Sequence, residues 1–187
     1  MSIEHSAIVD PNQHEPKGAA SASAGQTYVS DGAGSGSFES PAYAEMKVST
    51  NATAFTPVAA DIAQYKKLIN TGWSAGLALG ATVNADTTND DITITNAGTY
   101  KIDFWCAFST SASTGTTFAA KFGLDAALDP RLLQVQKNGT GSDVLTMSAS
   151  GLITVTAGQK VSIHIASSAA TALTVTNAGL SLHRLGV

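Results

Sequence analysis

Between Asp91 and Phe108 apolar and polar residues alternate almost without exception. Ile92 and Ile94 alternate with Thr93 and Thr95, and Asn96-Ala97-Gly98 interrupts. Tyr100, Ile102, Phe104, Cys106 and Phe108 then fall on one side of a longer run whose other side carries Lys101, Asp103, Trp105 and Ala107. A period of two over this length predicts strand, turn, strand, with one face of the second strand in a core and the other facing water or a partner. Such one-sided strands belong to antiparallel sheets, since strands of a parallel sheet are apolar on both faces. The phrase returns near the end of the chain, where Leu173-Thr174-Val175-Thr176-Asn177-Ala178-Gly179 precedes a last apolar run, and it predicts a second strand, turn and strand.

Shorter alternations fill most of the remainder. Ala44, Met46 and Val48 alternate with Tyr43, Glu45 and Lys47, predicting a first strand that ends at Ser49-Thr50-Asn51. Residues 54–60 are a second extended stretch, which Pro57 confines to an edge or a bulge because proline cannot donate to a ladder. Strands are expected over 65–73 and 76–83, and the acid-rich 84–91 reads as a loop. Phe118, Ala120, Phe122 and Leu124 mark a half-buried strand and 125–130 a turn or one helical turn. Leu133 and Val135 begin a strand that ends in Asn138-Gly139, the dipeptide best suited to a tight hairpin turn, with 145–150 answering across it. Strands over 152–155, 161–165, 173–176 and 180–185 complete a series whose close spacing predicts an all-β fold of antiparallel strands, a β-sandwich or jelly roll.

Residues 1–40 differ in kind. Pro11 and Pro16, the Gly, Ala and Ser of 18–25 and the Gly and Ser of 31–37 bury too little apolar surface to offset the entropy of ordering them. An extended N-terminal arm is therefore expected ahead of a domain over 41–187. Its stickier points are Ile8-Val9, Tyr28-Val29 and Phe38; such anchors suit docking on another subunit, and a plain linker has the same composition. The 187 residues, 43% hydrophobic, are enough for one sizeable core. Charged residues are only 13%, with 10 Lys and Arg against 14 Asp and Glu, and bases cluster only at Lys66-Lys67. Nucleic acid, which calls for a basic stripe, is not an expected partner. No apolar run reaches signal-peptide length or the ~20 residues of a membrane span, so synthesis in a cytoplasm and no membrane partner are expected.

Candidate chemistry is sparse. Cys106, the sole cysteine, lies on the apolar side of its strand and is expected as a buried thiol. His5, His14, His164 and His183 show no His-x-x-x-His spacing, and no Cys-x-x-Cys occurs, so neither a metal nor a cofactor is expected. No Gly-x-Ser-x-Gly elbow selects a nucleophile among the serines, and no catalytic residues are assigned. Asp86, Asn89, Asp90 and Asp91 are oxygen ligands of the calcium type without the spacing of an EF-hand, and read as a solvated loop. Asn51-Ala52-Thr53 and Asn138-Gly139-Thr140 have glycosylation spacing, which matters only in a secretory pathway.

The order of a Gly98-Thr99-Tyr100 strand, a Lys137-Asn138-Gly139 turn, the segment Thr156-Ala157-Gly158-Gln159-Lys160-Val161 and a closing apolar strand resembles the trimeric jelly roll of complement-type globular heads and tumour-necrosis-factor-type ligands. Bacteriophage decoration and fibre proteins with that fold are similar too. The resemblance spans 41–187 and departs from the usual pattern at Gln159, where an acidic residue commonly follows the glycine. The arm, through the stretch from Asp10 to Gly18 and that from Tyr28 to Gly36, is similar to N-terminal segments of phage virion structural proteins. Together the resemblances imply a homotrimeric virion accessory protein, a decoration or cement protein on the capsid surface. Trp105 and Ala107, on the second face of the long strand, are then the trimer-interface candidates. Ile8, Val9, Tyr28 and the turn His14-Glu15-Pro16-Lys17 are those for docking on the major capsid protein or other virion subunits. A head or tail fibre tip that binds a host glycan through Trp73 or Trp105 is the alternative, since aromatic faces suit sugars.

Overall fold

The computed structural model describes residues 21–30, 36–49, 54–57, 63–69, 72–80, 83–125, 127–131 and 133–186. The chain divides into two units, Met1–Pro41 and Ala42–Val187. In the first, β1 (Thr27–Ser30) and β2 (Gly36–Glu39) pair antiparallel, with Tyr28 opposite Phe38 and the two rings edge to face at 5.3 Å between centroids. Glycine is required at position 36, because a side-chain carbon there would strike the Tyr28 ring and the Val29 carbonyl.

The second unit holds β3 (Tyr43–Ser49), β4 (Ala54–Phe55), β5 (Lys66–Lys67), β6 (Trp73–Leu79), β7 (Val83–Asp86), β8 (Asp91–Ile94), β9 (Gly98–Thr110), β10 (Thr117–Leu124), β11 (Ala127–Leu128), β12 (Leu133–Gln136), β13 (Asp143–Val155), β14 (Lys160–Ser167) and β15 (Leu173–Gly186). They form two antiparallel sheets of a jelly-roll β-sandwich. One has six strands, in the order β13-β9-β15-β3-β6 with β4 beside β15. The other has seven, in the order β11-β10-β14-β8-β7 with β12 beside β10 and β5 beside β14.

The strand with the clearest alternation, β9, lies inside the six-stranded sheet, paired along its length with β13 and β15. Tyr100, Ile102, Phe104, Cys106 and Phe108 are buried and Lys101 and Trp105 exposed, as the period of two requires. Across the sandwich they meet Phe118 and Phe122 of β10 and Ile163 and Ile165 of β14, with Phe108 edge to face on Phe118 at 5.1 Å. Such aromatic pairs add to plain burial. Burial also pushes the Cys106 thiol up to about 12, which leaves it protonated and unreactive.

Several local expectations yield to tertiary pairing. Asn96-Ala97-Gly98 does make a turn, closed by the Tyr100 hydroxyl donating to the Asn96 carbonyl at 2.7 Å. Asn177-Ala178-Gly179 does not: it runs through the middle of β15, with Ala178 paired to Cys106 on one side and to Val48 on the other. A β-bulge between Val175 and Asn177 absorbs the one-residue slip between inward Val175 and inward Ala178. The acid-rich 84–91 is a hairpin of β7 and β8, because Asp86 accepts hydrogen bonds from the Thr88 and Asn89 amides at 3.0 Å and so builds the turn itself.

Asn138-Gly139 joins strands of different sheets, since β12 pairs with β10 and β13 with β9. The strand expected over 65–73 is confined to Lys66–Lys67, the next begins at Trp73, and β11 pairs back on β10 within the expected turn at 125–130. Of the stretch 54–60, Ala54–Phe55 pairs with β15, and 58–60 lie outside the described residues.

Candidate interaction surface

Because β9 is one-sided, the six-stranded sheet has an outward face built by the alternate residues of five strands. Register places Ser148 of β13, Trp105 of β9, Gly179 of β15 and Lys47 of β3 side by side across it. The next row is Ser150, Asp103, Ser181 and Glu45, and the one after is Leu152, Lys101, His183 and Tyr43. Trp105 and Ala107, the two interface candidates, thus share this face.

The Trp105 ring lies over Gly179, where a side-chain carbon would overlap its six-membered ring. Trp105 is 37% exposed, and Leu77 at 73%, Leu79 at 47%, Val144 at 64% and Leu152 at 59% are large apolar residues on the same sheet. The sequence reading missed these four. For Val144 and Leu152 the obscuring signal is that β13 carries apolar residues on both faces, so its alternation is blurred.

Charge on this face is largely self-neutralised. Lys101 Nζ lies 3.1 Å from Asp103 Oδ2. Burial raises the Asp103 carboxyl, but the Ser150 hydroxyl and Lys101 outweigh it and hold the group below the usual carboxylate range. Tyr43, Glu45, Leu77, Lys101, Ser181 and His183 surround a shallow depression of about 320 Å³. Its mixture of aliphatic Leu77, the Tyr43 and His183 rings and the charged Glu45 and Lys101 suits protein or sugar.

The other candidates distribute as follows. Tyr28 is half-buried in β1 against Phe38. Ile8, Val9, His14, Glu15, Pro16 and Lys17 lie outside the described residues. Trp73 is buried in the core, which removes it as a sugar-stacking surface. Among the described residues no group of three or more His, Cys, Asp or Glu could hold a metal ion. In the acidic stretch the Asp91 carboxylate is instead bonded to Lys67 at 2.9 Å.

No protein-family model matches the sequence, and no curated protein matches it. Solved structures do match. Eiger TNF from S. frugiperda is 9% identical with a TM-score of 0.55, over 78% of this chain and 94% of that one. Murine APRIL, in a crystal structure at pH 5.0, is 14% identical with a TM-score of 0.51, over 78% of this chain and 99% of that one. The PRD1 vertex protein P5 is 11% identical with a TM-score of 0.51, over 78% of this chain and 97% of that one. At these identities the likeness is one of fold, and it makes this chain a jelly roll similar to tumour-necrosis-factor-type proteins and to a viral vertex protein.

Proposed function

We propose that the chain is a structural subunit of a virion, a homotrimer that decorates or cements the capsid surface. In this reading the head assembles through the outward face of the six-stranded sheet and residues 1–40 dock on the shell. The observation that carries it is the gathering of Leu77, Leu79, Trp105, Val144 and Leu152, all exposed, on one sheet of a chain with only 13% charged residues. An apolar face of this kind is a liability in water and an asset once covered by copies of itself. The small neighbours Ala107, Ser148 and Ser181 let a facing backbone approach. An obligate interface of this sort buries ~2,000 Å² or more. The shared fold with a viral vertex protein supports the virion setting, and that with tumour-necrosis-factor-type chains supports the trimer. Fold alone does not fix function, so assembly is the test. Light scattering on the purified full chain at micromolar concentration should report three chain masses, and a single chain mass would sink the proposal.

A second reading, a glycan-binding fibre head, is favoured by the Trp105 ring lying along the sheet beside short polar side chains, a platform on which a sugar face can stack. Iodide quenching of Trp105 in the assembled protein separates the two. An interface tryptophan is shielded, whereas a sugar platform stays open.

A further inference from the structure

Along the inward face of β13 stand Leu145, Met147, Ala149, Gly151, Ile153 and Val155. Bulk is missing in the middle. Ala149 lies opposite Phe104 of β9 and Gly151 opposite Ile102, and in the facing sheet Ala120 of β10 is equally small between Phe118 and Phe122. The result is a cavity of about 180 Å³ walled by Phe104, Ala120, Phe122, Leu133 and Ala149. Native interiors leave few gaps larger than a water molecule. A cavity of roughly 150 Å³ with walls of this kind stays dry and takes up benzene.

The cavity lies at a margin of the sandwich, where β12 belongs to one sheet and β13 to the other. Arg131 spans that margin. Its Nη1 donates to the Leu152 carbonyl at 3.0 Å, and its Nε and Nη2 donate to the two carboxylate oxygens of Asp129, each at 2.7 Å. The guanidinium is 5.8 Å from the Phe122 ring centre and rests on Gly151, where a side-chain carbon would strike Nη1. These bonds engage three of the five N–H groups of a guanidinium, and toward the described residues one on Nη1 and one on Nη2 are left over. Lys121, with its ammonium over the Tyr65 ring, also borders the cavity, and its charge is felt at Asp129. Two cations against one carboxylate make the rim positive.

We propose that this cavity binds a small monocarboxylate with a compact apolar body, aromatic or branched aliphatic. The body fills the space between Phe104, Phe122 and Leu133, and the carboxylate accepts from the two remaining N–H groups of Arg131. Asp129 and the Leu152 carbonyl already hold that guanidinium in place, so little side-chain freedom is lost when the acid binds. An ammonium head meets a rim of its own sign. A dicarboxylate would have to bury its second charge against phenyl and aliphatic walls, which is costly without a partner.

The test titrates the full chain, in whatever assembly it forms, with benzoate, toluene and benzylamine, followed by calorimetry and by saturation transfer from protein to ligand ring protons. Benzoate should bind at least tenfold more tightly than toluene, and benzylamine should not bind. Arg131→Gln should bring benzoate down to the level of toluene and leave toluene unchanged. Ala149→Leu, which fills the cavity from β13, should abolish the binding of both, and a cooperative melt of this variant verifies that it is folded. Absence of benzoate binding at millimolar concentration would overturn the proposal, whether because the space closes in solution or because a neighbouring copy covers its mouth. Undiminished benzoate binding by folded Ala149→Leu would place the acid elsewhere and overturn it too. Equal affinities for benzoate and toluene in the parent would overturn the part given to Arg131.

Discussion

At the scale of single residues, two positions on the outer surfaces of the sandwich matter because of what lies against them. Gly179 pairs with Trp105 and has the indole resting on it. Gly179→Ala forces the ring off the sheet, an overpacking change that costs ~1–3 kcal/mol. We expect a lower melting temperature and a Trp105 emission shifted to the red; a variant with the parent's emission would show that the ring does not rest there.

His164 is the second position. It lies on β14 opposite Lys67 of β5 and Lys121 of β10, with Nε2 3.1 Å from the Ser162 hydroxyl oxygen. Burial first, and then the Lys67 charge, hold its imidazole below the ordinary value near 6.5. The unfolded chain therefore takes up this proton at a higher pH than the folded one. Stability from this group is whole above the ordinary value, falls as pH drops from there through the lowered folded value, and then levels off. His164→Gln should flatten the fall in melting temperature over that window. Parallel pH profiles for variant and parent would rule the titration out as a contributor.

At the scale of elements, what was legible in the sequence is what a period of two can carry. The faces of β9 follow from it directly, as do β3 and β10, because each is a strand with one wet side. Phe104→Ala, on the buried side of β9, should cost ~3–5 kcal/mol and deplete soluble assembly. Melting at the parent's temperature would mean that the two faces of β9 are exchanged.

The elements that escaped share a different cause. Asn177-Ala178-Gly179 has the same turn chemistry as Asn96-Ala97-Gly98, yet β15 has a neighbour on each side there and ladder hydrogen bonds prevail over local preference. One clue was present, since apolar Val175 and Ala178 stand three apart, a break in phase that a bulge repairs. Asn138-Gly139 misled for a related reason. The dipeptide encodes a bend, but whether the strands on either side belong to one sheet is decided by β9 and β10, remote in sequence. The candidate interface was half legible: Trp105 and Ala107 follow from the alternation of β9, whereas Leu77 and Leu79 emerge only once β6 is known to begin at Trp73.

At the scale of the whole molecule, the division of labour follows from two kinds of sequence. Residues 42–187 bury a continuous core, and the face they leave apolar is the means of self-association in our proposal. Residues 1–40 are rich in Gly, Ala, Ser and Pro with a few apolar anchors, a composition that docks weakly because contact must first offset the entropy of ordering. Trimerisation changes that arithmetic. Three arms carried on one head act at high effective concentration, which adds ~10² to 10⁴ in apparent affinity without any new contact. Attachment to the shell should therefore depend on the arm and on the trimer together. Deleting residues 1–38 should leave a folded, soluble trimer that no longer co-sediments with undecorated particles. Ile8→Ser with Val9→Ser in the full chain should weaken co-sedimentation without changing the trimer mass. If the truncated trimer decorates particles with the parent's affinity, attachment resides in the jelly roll and the arm serves only as a tether.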